Sequence, residues 1–307
     1  MNNLNFNLIR NKRNIFSISS FLIIISIGGI LISCFSPNIR KPINLGMDFL
    51  GGNEIRIERE CLNDCSEIRS DEIIKNLRNF PNKSLLNNIS FQIQNNNKLI
   101  SIKTPFIPLE ESEELLSNLD TFIGPLDYNS KSSRSIGPKL GKKLLLNGGI
   151  SLIVSLVAIS IYLSFRFDKK FAFLALAALF HDLLIVFGIF SWLGILISVE
   201  VNSLFAVSLL TIAGYSVNDT VVIFDRIREN LNVIDNNKKY NQTIELSVNE
   251  SLRRTIFTSL TTLIPLITLI IFGSYTLFWF AVSLALGIVI GSYSSILLAP
   301  SLLLKEN

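Results

Sequence analysis

Several uncharged runs of about 20 residues, the length that crosses a bilayer as a helix, constrain this chain before any other feature does. In lipid such a run has to satisfy its own backbone hydrogen bonds, and a helix does that. The first run, Ile15 to Phe35, follows an N-terminal stretch 1–14 that holds Arg10, Lys12 and Arg13 and no acid. A secretory signal has a shorter apolar core and a small-residue cleavage site, and further apolar runs follow here. An uncleaved first span at 15–35 is therefore expected. The Leu-Ile-Ser before Cys34 fits a lipoprotein site only loosely. Further spans are expected at 144–166, 171–197, 201–224, 255–273 and 276–304. Of the 307 residues, 49% are hydrophobic and 17% charged, and the mean hydropathy is +0.46. That is too apolar for an ordinary soluble domain.

Charge in the short loops sets the expected orientation. Arg166, Lys169 and Lys170 outweigh Asp168, and basic residues recur in 225–254 and at Lys305, whereas the turn near Ser198 to Asn202 has only Glu200. Basic short loops stay in the cytosol, so both termini are expected there. The net charge of +4 is small and scattered over loops, which argues against a nucleic-acid partner. The long polar segment 36–143 is then an exported domain. Within it Glu54 to Arg59 alternates like a strand, 71–80 is periodic like a helix, and two strand-like runs flank Asn95 to Asn97. Pro108 to Leu119 starts with proline and acids, as helices do, and a short last strand is expected at Leu126 to Asn129. The order β-α-β-β-α-β is that of a ferredoxin-like α+β unit. Cys61 and Cys65 fall in this domain, where a disulfide is permitted. A local staple or two free thiols are the alternatives, and no metal or cofactor site is expected.

Ionisable residues inside spans are the candidate functional groups. Between Val201 and Phe224 the one charged side chain is Asp219, next to Asn218. A carboxylate at mid-membrane costs about 2.5–3.5 kcal/mol on insertion scales, and such groups mark ion or proton paths. Ser208, Thr211, Tyr215, Asn218 and Asp219 recur at helical spacing and are expected to form one polar stripe. Snorkelling of Asp219 to water is the alternative. Arg254, Thr258, Thr261, Pro265 and Thr268 share one face of the fifth span, making Arg254 the candidate partner of Asp219; an ordinary cytosolic anchor is the alternative. Pro265 removes a backbone hydrogen bond and is expected to bend that helix. His181 and Asp182 form a second site, either a structural pair or a proton relay, with the Asp expected on a different helix face from the His. Ser283, Gly287, Gly291 and Ser295 recur every four residues, a stripe that lets another helix approach closely. Segment 225–254 holds two amphipathic stretches, expected as surface helices or as a solvated connector.

Several of these stretches resemble the SecF family of bacterial export proteins, relatives of the RND transporters. Gly46 to Gly52 (GMDFLGG) is similar to that family's G-x-D-F-x-G-G motif. Gly214 to Asn230 (GYSVNDTVVIFDRIREN) is similar to its most specific signature, and Ile136 to Lys139, His181-Asp182 and Arg254 to Ser259 fit as well. The Cys61/Cys65 pair is not part of the family's pattern. The resemblance implies six spans, half of an RND-like core, in the bacterial inner membrane. It also implies an obligate SecD partner and use of the proton-motive force to draw preproteins out through SecYEG, without enzymatic chemistry. Asp219 and Arg254 match the family's intramembrane acid and arginine implicated in proton passage, with Asn218, His181 and Asp182 as further relay candidates. The glycines after Asp48 suit a tight turn where the chain leaves the membrane. A scaffold of the translocon that moves no protons, or half of an RND-type efflux transporter, are the rival expectations.

Overall fold

The computed structural model describes residues 6–37, 39–61, 65, 89–94, 97–107, 109–233 and 240–305. The chain divides into a helical unit, residues 1–44 and 148–307, and a second unit, residues 45–147. The expected helix at 71–80 lies outside the described residues.

In the helical unit, α1 (Leu8–Phe35), α4 (Pro138–Arg166, whose first turns belong to the second unit), α5 (Lys169–Ile197), α6 (Ser203–Val233) and α7 (Tyr240–Phe272) are long and apolar. The last span comprises α8 (Tyr275–Tyr293), a π-turn (Ser294–Leu298) and α9 (Ala299–Leu303). With it, six helices among the described residues are long and apolar enough to cross a membrane. The two amphipathic stretches of 225–254 are continuations of α6 and α7 rather than separate surface helices. No proline or glycine interrupts them, and their charges pair across the two helices. Arg226 bonds Glu250 at 2.7 Å, and Asn230 donates to Ser247 at 2.9 Å. Helix α7 continues unbroken past Pro265.

Helix packing follows the small residues. A Cβ on Gly29 would lie 2.6 Å from the Trp192 ring, and one on Gly188 would meet Ser26, so α1 and α5 touch backbone to side chain. Trp192 Nε1 donates to the Ile25 carbonyl at 3.0 Å across the same contact. A Cβ on Gly287 would overlap the Ile212 side chain, and one on Gly291 would lie 3.2 Å from Ser216 Cβ. The expected stripe of Gly287 and Gly291 thus sets the approach of α8 to α6. The start of α1 and the end of the last span come to the same end of this unit: Lys12 donates to the Leu304 carbonyl, and the Lys305 backbone N–H to Asn241.

The second unit holds an antiparallel four-stranded sheet in the order β2-β3-β1-β4, from β1 (Gly52–Arg59), β2 (Ser90–Gln94), β3 (Leu99–Thr104) and β4 (Leu126–Ile136). Central β1 pairs with β3 (Ile55 opposite Ile102) and with β4 (Ile55 opposite Ser133). This is the strand order of a ferredoxin-like unit, and β4 runs well beyond the expected Asn129. Ile55, Ile57, Ile100 and Ile102 are buried from one sheet face against Leu115, Leu116 and Leu119 of α3 (Leu109–Ile123). The alternation Glu54-Ile-Arg-Ile-Glu places the charges of β1 on the other face. Arg59 is buried at the end of β1, where Nε donates to the Ile123 carbonyl at 2.9 Å and burial pulls its pKa below the usual arginine value. Cys61 and Cys65 are joined by a disulfide just beyond. A short helix, α2 (Met47–Leu50), precedes β1. Gly51 (φ +80°) and Gly52 (φ +148°) make the turn between them, and a Cβ on Gly52 would lie 2.5 Å from the Thr104 carbonyl oxygen. Asp48 is buried there and bonds Arg134 at 3.2 Å.

Replacing Gly287 by Leu should force α8 off α6 and lower stability by about 1–3 kcal/mol, the usual cost of overpacking. Thermal unfolding in detergent measures this. Gly149→Ala, where an added Cβ meets nothing within 4 Å, should unfold at or slightly above the wild-type temperature.

Candidate functional site

Helix α5 is buried on most of its circumference, so neighbouring residues both face protein. His181 and Asp182 are 5% and 0% exposed. Although consecutive residues of a helix stand about 100° apart around its axis, His181 Nδ1 and Asp182 Oδ1 lie 2.9 Å apart and bond to each other. Asp182 Oδ2 accepts from Ser216 Oγ of α6 and from Ser294 Oγ of the π-turn, each at 2.6 Å. One carboxylate therefore joins three spans. Around it Thr220 Oγ1 and Ser295 Oγ are 2.7 Å apart, and both hydroxyls bond the Ser216 carbonyl.

The two serines of the π-turn divide the work: Ser294 turns to Asp182 of α5, and the next residue, Ser295, to Ser216 and Thr220 of α6. The sequence stripe included Ser295 but not Ser216, Thr220 or Ser294. A pair of adjacent serines in an apolar span was the available signal.

Asp219 lies one turn from Ser216 on α6 and is 3% exposed. Its Oδ2 and His181 Nε2 are two of the three buried side-chain polar atoms without a hydrogen-bond partner among the described residues. Arg254 lies close enough to act on Asp219 electrostatically, yet no ion pair joins them among the described residues; Arg254 is exposed on α7. The expected single stripe on α6 divides in two. Ser208 and Asp219 face inward, while Thr211 and Asn218 face outward and Tyr215 is half-buried, its hydroxyl bonding Ser259 of α7 at 3.2 Å. The reason is angular: seven residues separate Thr211 from Asn218 and eleven separate Ser208 from Asp219, two nearly whole numbers of turns on different lines. On α7 the expected face holds together, and Arg254, Thr258, Thr261, Pro265 and Thr268 are all exposed.

Residues 117–306 match the family described as protein export membrane protein SecD/SecF, C-terminal. The protein translocase subunit SecF of Prochlorococcus marinus is 48% identical over 309 residues, across 98% of this chain and 96% of that protein. This chain belongs to the SecF family. The SecF subunit of Synechocystis is 38% identical over 287 residues, across 93% of this chain and 89% of its own length. A crystal structure of SecDF from Thermus thermophilus, described as a translocon-associated membrane protein, superposes with a TM-score of 0.80 at 28% identity. It covers 97% of this chain, but the chain spans only 38% of that longer polypeptide. The SecF-family chain is thus a multi-pass membrane protein of the Sec protein-transport pathway, with six long apolar helices among the described residues.

Substituting Asp182 by Ala leaves Ser216 Oγ and His181 Nδ1 without their partner, at about 1–3 kcal/mol for each group left unpaired, while Ser294 Oγ keeps the Gly291 carbonyl at 3.1 Å. Ser216→Ala removes one donor only and should cost less. Detergent-resistant unfolding measured on both variants checks the order.

Proposed function

We propose that this SecF-family chain works with a SecD partner to use the proton-motive force in drawing preproteins out through SecYEG, without enzymatic chemistry. The observation that carries the reading is Asp219: a buried carboxylate in a membrane span, with one oxygen unpartnered and an exposed arginine acting on it from the next helix. Such a group changes its balance of interactions when it gains a proton, because desolvation favours the neutral form and a nearby cation the charged one. Its helix is bonded through Ser216 and Thr220 to α5 and the π-turn, so a change at Asp219 is felt by three spans.

The outward polar faces support the partner. Thr211 and Asn218 on α6 and Arg254, Thr258, Thr261 and Thr268 on α7 would otherwise face hydrocarbon, where polar groups pair with protein or water. A second six-span half would cover them, in keeping with the much longer SecDF chain of Thermus thermophilus. Under this reading both termini are cytosolic, the domain 36–143 is exported, and Asp219 and Arg254 carry the proton with Asn218, His181 and Asp182 around them. The alternative is a scaffold in which the buried acid serves packing alone.

Asp219→Asn should abolish the gradient-dependent part of preprotein export into inverted membrane vesicles while leaving the amount of bound SecD unchanged. Export that keeps its response to an imposed proton gradient would favour the scaffold.

A further inference from the structure

The outer side of the π-turn borders a groove of about 420 Å³, walled by Phe6, Leu252, Ile256, Tyr293, Ile296 and Leu297. Ser292 lines it too, and its polar lining, the Ser292 and Tyr293 hydroxyls, is already engaged. Tyr293 Oη donates to the Ile15 carbonyl at 3.1 Å, and Ser292 Oγ to the Ile288 carbonyl at 2.7 Å. The groove therefore offers carbon and no free hydrogen-bonding side chain, which fits a hydrocarbon chain and not a polar ligand. Its position is fixed by a clasp. Asn249 accepts from the Phe6 backbone N–H at 2.8 Å and donates to the Phe6 carbonyl at 3.1 Å, holding the start of α1 against α7.

The mouth is basic. Arg253 is one turn from Asn249 on the same face of α7 and next to Leu252 in the wall; its guanidinium stacks over Phe257 at 5.7 Å. Arg10 lies exposed in the first turn of α1, four residues after Phe6, with Arg13 further along the helix; Glu245 of α7 caps this helix start, accepting from the Ile9 N–H at 2.9 Å. No ion pair holds Arg10, Arg13 or Arg253 among the described residues. Arg253 marks the level at which α7 passes from Asn249 and Glu250 to Ile256 and Phe257, that is, from polar to hydrocarbon surroundings. An apolar slot that opens beneath unpaired arginines at that level has the chemistry of an anionic phospholipid: acyl chain in the groove, phosphate at the arginines.

We propose that this groove binds one acyl chain of an anionic membrane phospholipid, with its headgroup held by Arg253 and Arg10. The chain would lie against the outside of the π-turn whose inside carries Ser294 and Ser295. The lipid thereby braces the wall of the buried hydroxyl cluster. The assignment does not depend on proton coupling or on export.

A photoreactive benzoylphenylalanine at position 256 of the full chain in native membranes tests the occupant. Irradiation should give an adduct with the mass of a phospholipid. An adduct to polypeptide, whether a partner helix or this chain's own first residues, would overturn the proposal. In nanodiscs of mixed phosphatidylglycerol and phosphatidylcholine, the wild-type protein should retain phosphatidylglycerol through purification. Arg253→Gln should lower that retention about fivefold, the factor one basic group carries near an anionic surface. Ile256→Trp, which fills the groove at a position already half open to lipid, should remove it. Retention unchanged in Ile256→Trp, or equal retention of both lipids by the wild type, would refute the site.

Discussion

A polar side chain within hydrocarbon has no water to fall back on, so each one must be answered by another part of the protein. In this chain that constraint converges on Asp182. Its carboxylate receives donors from α5, α6 and the π-turn and is itself 0% exposed. The other helix contacts arrange themselves around this bond set. Gly287 and Gly291 bring α8 near enough to α6 for Ser294 to reach Asp182, and Gly188 and Gly29 seat α1 against the far side of α5. Apolar packing alone would permit α6 to slide or rotate among similar surfaces. The bond from Ser216 to Asp182, with that of Ser294 to the same carboxylate oxygen, fixes the register of α6 and of the last span against α5.

The sequence was most legible where a residue's type alone forces an outcome. Uncharged runs in the sequence became helices, the Gly287–Gly291 stripe became a close helix contact, and the alternation in β1 became a two-faced strand. It was less legible where geometry depends on neighbours in space. Asp219 was visible as a lone acid in an apolar run, but its inward aim is set by which face of α6 meets α5 and α8. Residue spacing separates that line from the line of Thr211 and Asn218, but it does not say which of the two meets protein and which faces outward. Arg254 was placed on the right face of α7, but a helical wheel gives no distance between helices and so could not tell an ion pair from a neighbour at a distance. The hydrogen bond between His181 and Asp182 was hidden because adjacent residues on a helix ordinarily diverge; it arises since α5 is enclosed nearly all round.

The α+β unit shows the same division of labour outside the apolar helices. Its core is made by isoleucines of β1 and β3 and leucines of α3, all foreseeable from period. Its entry turn is made by Gly51 and Gly52 at positive φ, with Asp48 tied to Arg134. The motif Gly46 to Gly52 accordingly has a structural reason for each of its glycines at the turn and for its acid, without any ligand being required to explain them.

The π-turn at Ser294 to Leu298 also has a consequence for the phase of the last span. One residue added to a turn rotates everything that follows by about 100° relative to an unbroken helix. The line of small residues that faces α6 from Ser283 to Gly291 therefore does not continue on the same bearing into α9. The span has two consecutive bearings: before the π-turn its small residues meet α6, and after it Ala299, Pro300, Ser301 and Leu303 are buried on a line of their own. The π-turn sets the phase between these two contact lines.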